Sequence, residues 1–228
     1  MIGVGIVTCG RPEYYKQVFK SVMECGGYDY LTIYEDGSDA FGYALTSDDG
    51  KNRGVAAAKN IVLSRMLDSG CDWLFVIEDD IILKREPYQH YIKACQASGY
   101  QHLAFHAHGS HNAQPLFRGS SVTLWPNYVG AFSVYSFQSL LTAGLLDEDF
   151  YNAWEHVEHT LRLAQLGFTA PWRGAADATG SEEYLEEIPG SIEGSVIRKD
   201  PHWSAKMQKG RDHWKFAHPD TYKLVFGG

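Results

Sequence analysis

Apolar residues fall in short runs separated by segments of helical period. Ile2 to Thr8 (IGVGIVT), Tyr30 to Tyr34 (YLTIY) and Trp73 to Ile77 (WLFVI) are bounded runs rich in β-branched and aromatic residues, and they predict buried strands. Between the first two, Tyr15, Val18, Phe19 and Val22 recur at helical spacing, and Pro12 suits the start of a helix running to about Glu24. Val55 to Ser69 predicts a second helix, stopped by Gly70. Pro87 to Ser98 predicts a third, and His102 to Phe105 a further strand. Strand, helix, strand, helix, strand is the order of an α/β fold with a mostly parallel central sheet flanked by helices. The second half is less regular. Ser121 to Leu124 and Ala131 to Ser136 read as strands, and Trp154 to Leu166 as a helix with Trp154, Val157, Leu161 and Ala164 on one stripe.

Three polar clusters follow the strands directly: Thr8 to Arg11, Glu35 to Ser38, and Glu78 to Asp80. Sheets of this kind bind ligands outside the carboxyl ends of their strands, so the three clusters are expected to meet in one crevice. Three carboxylates after an apolar run are costly without a neutralising cation. Mg2+ or Mn2+ bridging diphosphate oxygens supplies one; a solvated turn that caps a helix is the alternative. In Glu35-Asp36-Gly37-Ser38, Asp36 suits a nucleobase or ribose, or an ordinary Asp-Gly turn. Asn52-Arg53-Gly54 and Lys59 put cations near the same edge, or form a solvated helix end. Gly3 and Gly5 do not start a G-x-G-x-x-G fingerprint, because position 8 is Thr, and a P-loop is absent.

Length and charge narrow the picture. The 228 residues fit one domain, and a formal net charge of -8 argues against a sequence-blind grip on nucleic acid. The charge is uneven. Residues 181–195 hold five Glu and no Lys or Arg, whereas six cations against two aspartates leave +4 over residues 196–216. An acidic loop before a basic, Trp-bearing tail predicts a mobile segment over a site. Aromatic residues reach 14% of the chain, which suits stacking surfaces or a rich core. Trp125, Tyr128, Trp154 and Trp203 are the stacking candidates. The four cysteines form no C-x-x-C pair and are expected to be free thiols. With no apolar run of ~20 residues and no charged leader at the N-terminus, a cytoplasmic protein is expected, in the host cytoplasm for a viral source.

Thr8-x-x-Arg11-Pro12, then Tyr34-Glu35-Asp36-Gly37-Ser38, then Asn52-Arg53-Gly54 through Lys59-Asn60, then Trp73 through Glu78-Asp79-Asp80 make an ordered series over residues 1–83. The series resembles the nucleotide-sugar half of a GT-A fold glycosyltransferase, close to family 2 in pattern. Trp154-Glu155-His156-Val157-Glu158-His159 resembles the acidic acceptor-side helix of that superfamily, and residues 191–216 resemble its closing segment. The implied layout is a single GT-A domain, Rossmann-like, with a small acceptor-side subregion. Residues 1–100 form the nucleotide-sugar half, 101–180 the acceptor and catalytic half, and 181–228 the closing segment.

The resemblance implies a metal-dependent transferase that moves a hexose or pentose from a nucleoside-diphosphate sugar, typically a UDP-sugar, to an acceptor hydroxyl with inversion. Thr8 and Arg11 border the nucleotide pocket, and Asp36 bonds the base. Arg53 and Lys59 lie near the base or diphosphate. Glu78-Asp79-Asp80 stands in for the D-x-D motif, with Asp79 facing the ribose or donor sugar and Asp80 binding Mn2+ or Mg2+. Where the family has Glu-Asp before the acceptor helix, this chain has Glu155-His156, so either one takes the role of base, with Glu155 preferred. His159, one turn on, is expected to pair with Glu155. His202 is a candidate metal ligand or diphosphate contact, or a surface residue beside a packed Trp203. His106, His108 and His111 offer a metal site or, preferably, an acceptor-lining loop. Two other classes stay open: a nucleotidyltransferase of similar build and a non-catalytic sugar-binding module. Acceptors left open are a glycan, a lipid-linked sugar, a protein, a small molecule and a hydroxylated pyrimidine in viral DNA. No motif addresses the oligomeric state.

Overall fold

The chain runs β1 (Ile2–Thr8), α1 (Pro12–Cys25), β2 (Tyr30–Glu35), α2 (Val55–Asp68), β3 (Trp73–Glu78), β4 (Ile81–Leu83), α3 (Tyr88–Ser98) and β5 (His102–Ala104). Then follow β6 (Phe117–Arg118), β7 (Val122–Trp125), β8 (Phe132–Ser136), α4 (Phe137–Ala143), α5 (Glu155–Gln165), β9 (Ala175–Ala178), β10 (Leu185–Glu187), α6 (Trp203–Ala217) and α7 (Pro219–Phe226). The computed structural model describes residues 1–37, 51–109 and 113–227, so Ser38 and His111 lie outside the described residues.

The main sheet has the order β2-β1-β3-β8-β5. β1 pairs in parallel with both β2 and β3, whereas β8 is antiparallel to β3 and β5. Four strands therefore share one direction and one is reversed. Alternate residues of each central strand enter opposite cores. Phe75 and Ile77 pack with Val18, Val22, Tyr88 and Tyr91 under α1 and α3. Leu74 and Val76 pack with Val62, Leu63 and Met66 of α2 on the other face. Gly3 and Gly5 lie on the α2 side. A Cβ at Gly5 would stand 2.8 Å from Val62 Cβ, so the two glycines let α2 approach β1 closely.

Two smaller sheets frame the crevice end. β6, β7 and β9 form one, and β10 pairs antiparallel with β4 directly after the carboxylate cluster. The segment expected to be mobile, residues 181–216, is anchored at several points. The acidic stretch is held by its β4 partner and by an Ile188 N–H bond to the Asp80 carbonyl, 2.8 Å long. The basic tail is helical from Trp203, and fully buried Trp214 docks it against Phe150, Val157 and Leu161. With only Gly210 and Trp214 buried, α6 shows no apolar stripe in the sequence, and one buried indole suffices to seat it. All four cysteines are free thiols. Among the described residues, no helix is long and apolar enough to cross a membrane.

Candidate active site

The three strand ends converge as expected. Thr8 Oγ1 donates to Asp79 Oδ2 at 2.6 Å, and Arg11 Nη2 donates to Asp79 Oδ1 at 2.5 Å. Arg11 Nη1 also donates to the Ser191 carbonyl at 3.1 Å, which fastens the acidic segment to the site. The Asp36 N–H bonds the Thr8 carbonyl, and the Gly10 N–H bonds Glu35 Oε1. Burial pushes the Asp79 carboxyl pKa up, against the pull of Arg11 and Thr8.

Asp80 differs from Asp79 in having little to satisfy it. Its Oδ2 lies 3.5 Å from Arg11 Nη2 and 3.7 Å from His108 Nε2. Its Oδ1 is buried with no hydrogen-bond partner, and burial pushes the carboxyl pKa up to about 6. Unpaired buried carboxylate oxygens are rare and call for an ion or ligand. A carboxylate with an imidazole beside it is a donor set that suits a divalent cation.

Asp36 is buried, and its carboxylate accepts the backbone N–H groups of Arg53 at 2.7 Å and Gly54 at 2.8 Å. It thereby anchors the segment that leads into α2. Arg53 itself is exposed. Lys59 is buried, 2.6 Å from Glu78 Oε1, 3.1 Å from the Gly130 carbonyl and 3.4 Å from Glu155 Oε1. It joins the strand-end carboxylate Glu78 to Glu155 of α5. Burial works against its ammonium, but Glu78 and Glu155 outweigh it and hold the pKa above the ordinary lysine range.

Glu155 begins α5, and the residue before it, Trp154, sits at φ 73, a conformation that side chains other than glycine rarely adopt. Glu155 Oε1 lies 3.1 Å from His156 Nδ1, while His156 Nε2 lies 3.3 Å from the Tyr128 carbonyl. Burial raises the Glu155 pKa, yet His156 and Lys59 overcome it and bring it down to about 2. A depressed carboxylate pKa stabilises the fold above the unfolded value and loses that contribution as pH falls. Glu155 therefore supports the fold above about pH 4.5, and its share disappears as pH drops toward about 2. Urea midpoints measured from pH 5 to pH 2.5 should fall less steeply in Glu155→Gln than in wild type. Equal slopes would remove Glu155 from the acid response.

Several expected partners separate. His159 does not pair with Glu155; its Nε2 lies 2.9 Å from the Gly144 carbonyl, and burial lowers its pKa to about 3. The helical turn aims it at the α4 end instead of the crevice. His106 stacks on Trp125 at 3.5 Å, with Nδ1 2.8 Å from buried Asp177. Both are committed to packing. His202 is exposed just before α6, its N–H bonded to Asp200, so the structure does not bring it to Asp80. Helix α6 turns the next residue, Trp203, toward the cavity, which leaves His202 outside the lining.

A cavity of about 800 Å3 connects the pieces. Glu78, Asp80, His108, Glu155 and His156 all line it, and Tyr128, Trp154, Trp172 and Trp203 supply aromatic surface. Tyr128 and Trp172 stack at 4.6 Å and 14°. Trp172 carries no sequence signal, because it follows a lone proline. Among the described residues, the group of three metal-type ligands within mutual reach is Asp147, Asp149 and His213, apart from this cavity.

No family model and no curated protein matches the chain. Solved structures do. S. aureus TarS residues 1–349 superpose with a TM-score of 0.56 at 11% identity, over 99% of this chain and 75% of that one. Its complex with UDP gives 0.57 at 11%, over 98% and 75%, and its complex with UDP-GlcNAc gives 0.56 at 11%, over 99% and 76%. The chain has the GT-A fold. In this GT-A frame the carboxylate cluster and the Glu155–His156 pair face one cavity from opposite halves of the chain.

Proposed function

We propose that this protein is a glycosyltransferase that moves a sugar from a UDP-sugar to an acceptor hydroxyl, with inversion and with a divalent cation. The observation that carries the reading is the Asp80 carboxylate, its Oδ1 buried without a partner, lining one cavity with Glu155 and His156. The likeness to a fold solved with UDP and UDP-GlcNAc supports the choice of donor.

In this mechanism Thr8 and Arg11 hold Asp79 rigid at the donor side, and Asp36 shapes the loop against the base. Arg53 stands exposed at that edge. Asp80 would hold Mn2+ or Mg2+, whose charge stabilises the leaving diphosphate when bound. The acceptor oxygen attacks the anomeric carbon from the face opposite the diphosphate. That C–O bond forms as the bond to phosphate oxygen breaks, and UDP departs with the electron pair. The acceptor proton passes to the Glu155–His156 pair, with Glu155 the preferred recipient. Lys59 keeps Glu155 ionised for this step.

The test is UDP binding by calorimetry with and without Mn2+, followed by UDP-sugar hydrolysis and transfer with a panel of acceptors. Wild type is expected to bind UDP in a Mn2+-dependent manner, and Asp80→Asn to lose that dependence with at least about a tenfold weakening. Absence of UDP binding together with absence of hydrolysis of any sugar nucleotide would overturn the reading. Nucleotide exchange with pyrophosphate release would instead favour a nucleotidyltransferase.

A further inference from the structure

We propose that His108 is a second protein ligand of the divalent cation, acting through Nε2, and that Glu187 is its positioning partner; this rests on the reading of Asp80 as the cation-binding carboxylate. Asp80 and His108 line the same cavity, with Nε2 3.7 Å from Asp80 Oδ2. Two donor atoms on one ion, each bonded at roughly 2.1 Å, stand roughly 3–4 Å apart. The observed spacing fits an ion held between them. Asp80 is only 6% exposed, and its Oδ1 has no partner. Arg11 also lies 3.5 Å from Asp80 Oδ2, but its short bonds go to Asp79 and the Ser191 carbonyl.

The other side of the imidazole is equally organised. His108 Nδ1 stands 3.2 Å from Glu187 Oε1, near but not aligned for a hydrogen bond. Glu187 is fixed on its own account. Its Oε2 accepts the Gly109 N–H at 2.9 Å, its Oε1 accepts from Ser191 Oγ at 3.1 Å, and β10 pairs with β4. A metal-binding imidazole whose second nitrogen faces a carboxylate has its tautomer and ring orientation set by that carboxylate. Glu187 is placed to do this, which gives the acidic segment a role at the metal rather than over the site. Two protein ligands are sufficient here, since diphosphate oxygens and water complete a hard cation's shell. An imidazole in the set favours Mn2+ over Mg2+, because nitrogen donors suit the later metals.

The experiment titrates Mn2+ and Mg2+ with and without UDP, following free Mn2+ by electron paramagnetic resonance. Thermal melts check the fold of each variant. His108→Ala is expected to weaken Mn2+ binding at least about tenfold and Mg2+ binding much less. His108→Asp should restore binding with the preference moved toward Mg2+. Glu187→Gln should weaken Mn2+ by about tenfold. His108→Gln replaces the alanine variant if that one does not fold. Unchanged Mn2+ affinity in His108→Ala, with loss in Asp80→Asn, would overturn the His108 assignment and leave the cation reading intact. Unchanged affinity in Asp80→Asn would overturn the cation reading itself.

Discussion

Glu155→Gln is expected to reduce sugar transfer by about a hundred- to ten-thousand-fold while UDP affinity stays at the wild-type level. The substitution keeps the size of the side chain and removes only its capacity to take a proton. Glu155 makes no contact with the strand-end group of Thr8, Arg11 and Asp79, so the donor side should be undisturbed. Lys59 retains Glu78 at 2.6 Å, which keeps a counter-ion beside the buried ammonium. Steady-state kinetics and UDP calorimetry on the same preparation provide the check. His156→Asn separates the pair: with Glu155 as recipient it should cost less than Glu155→Gln. A larger loss in His156→Asn would move the proton to the imidazole, and full transfer activity in both variants would remove the pair from the chemistry.

The largest stability effect should come from Lys59→Met, at about 3–5 kcal/mol. Methionine fills the same volume but leaves Glu155 without one of its two neutralising partners, in a place where the carboxylate is 4% exposed. Removing one member of a buried ion network is costly because the remaining charge loses its compensation and its water. Urea denaturation should register the loss. Adding Glu155→Gln to Lys59→Met should return part of it, since the stranded charge is then gone. A loss below about 1 kcal/mol for the single variant would show that Lys59 does not tie the two halves together. The double variant also distinguishes electrostatics from packing, because a packing defect would not be relieved by the second change.

Both expectations rest on a junction that the linear pattern shows only in part. The apolar runs at Ile2, Tyr30 and Trp73 locate three strands, because a buried parallel strand needs an uninterrupted apolar stretch on both faces. Their polar followers then locate the crevice, because strand ends of such sheets point to one edge. Thr8, Arg11, Asp79 and Asp80 were legible for that reason. Lys59 and Glu155 were legible as individual residues but not as partners. They are 96 positions apart, and helix period describes only which face a residue occupies. The reversed strand β8 and the helical tail were hidden for a related reason: their places depend on partners distant in the chain.

The sequence by itself determined the α/β class, the alternation of strands and helices to Ser98, and the placing of carboxylates at strand ends. Each of these follows from local hydrophobic period and from the cost of burying charge. Tertiary structure alone decided which histidine meets Asp80, that His106 stacks on Trp125 while His159 bonds the Gly144 carbonyl, and that Leu185–Glu187 of the acidic segment pair with β4. Those outcomes depend on distances of a few ångströms between elements, and residue spacing along the chain does not encode them.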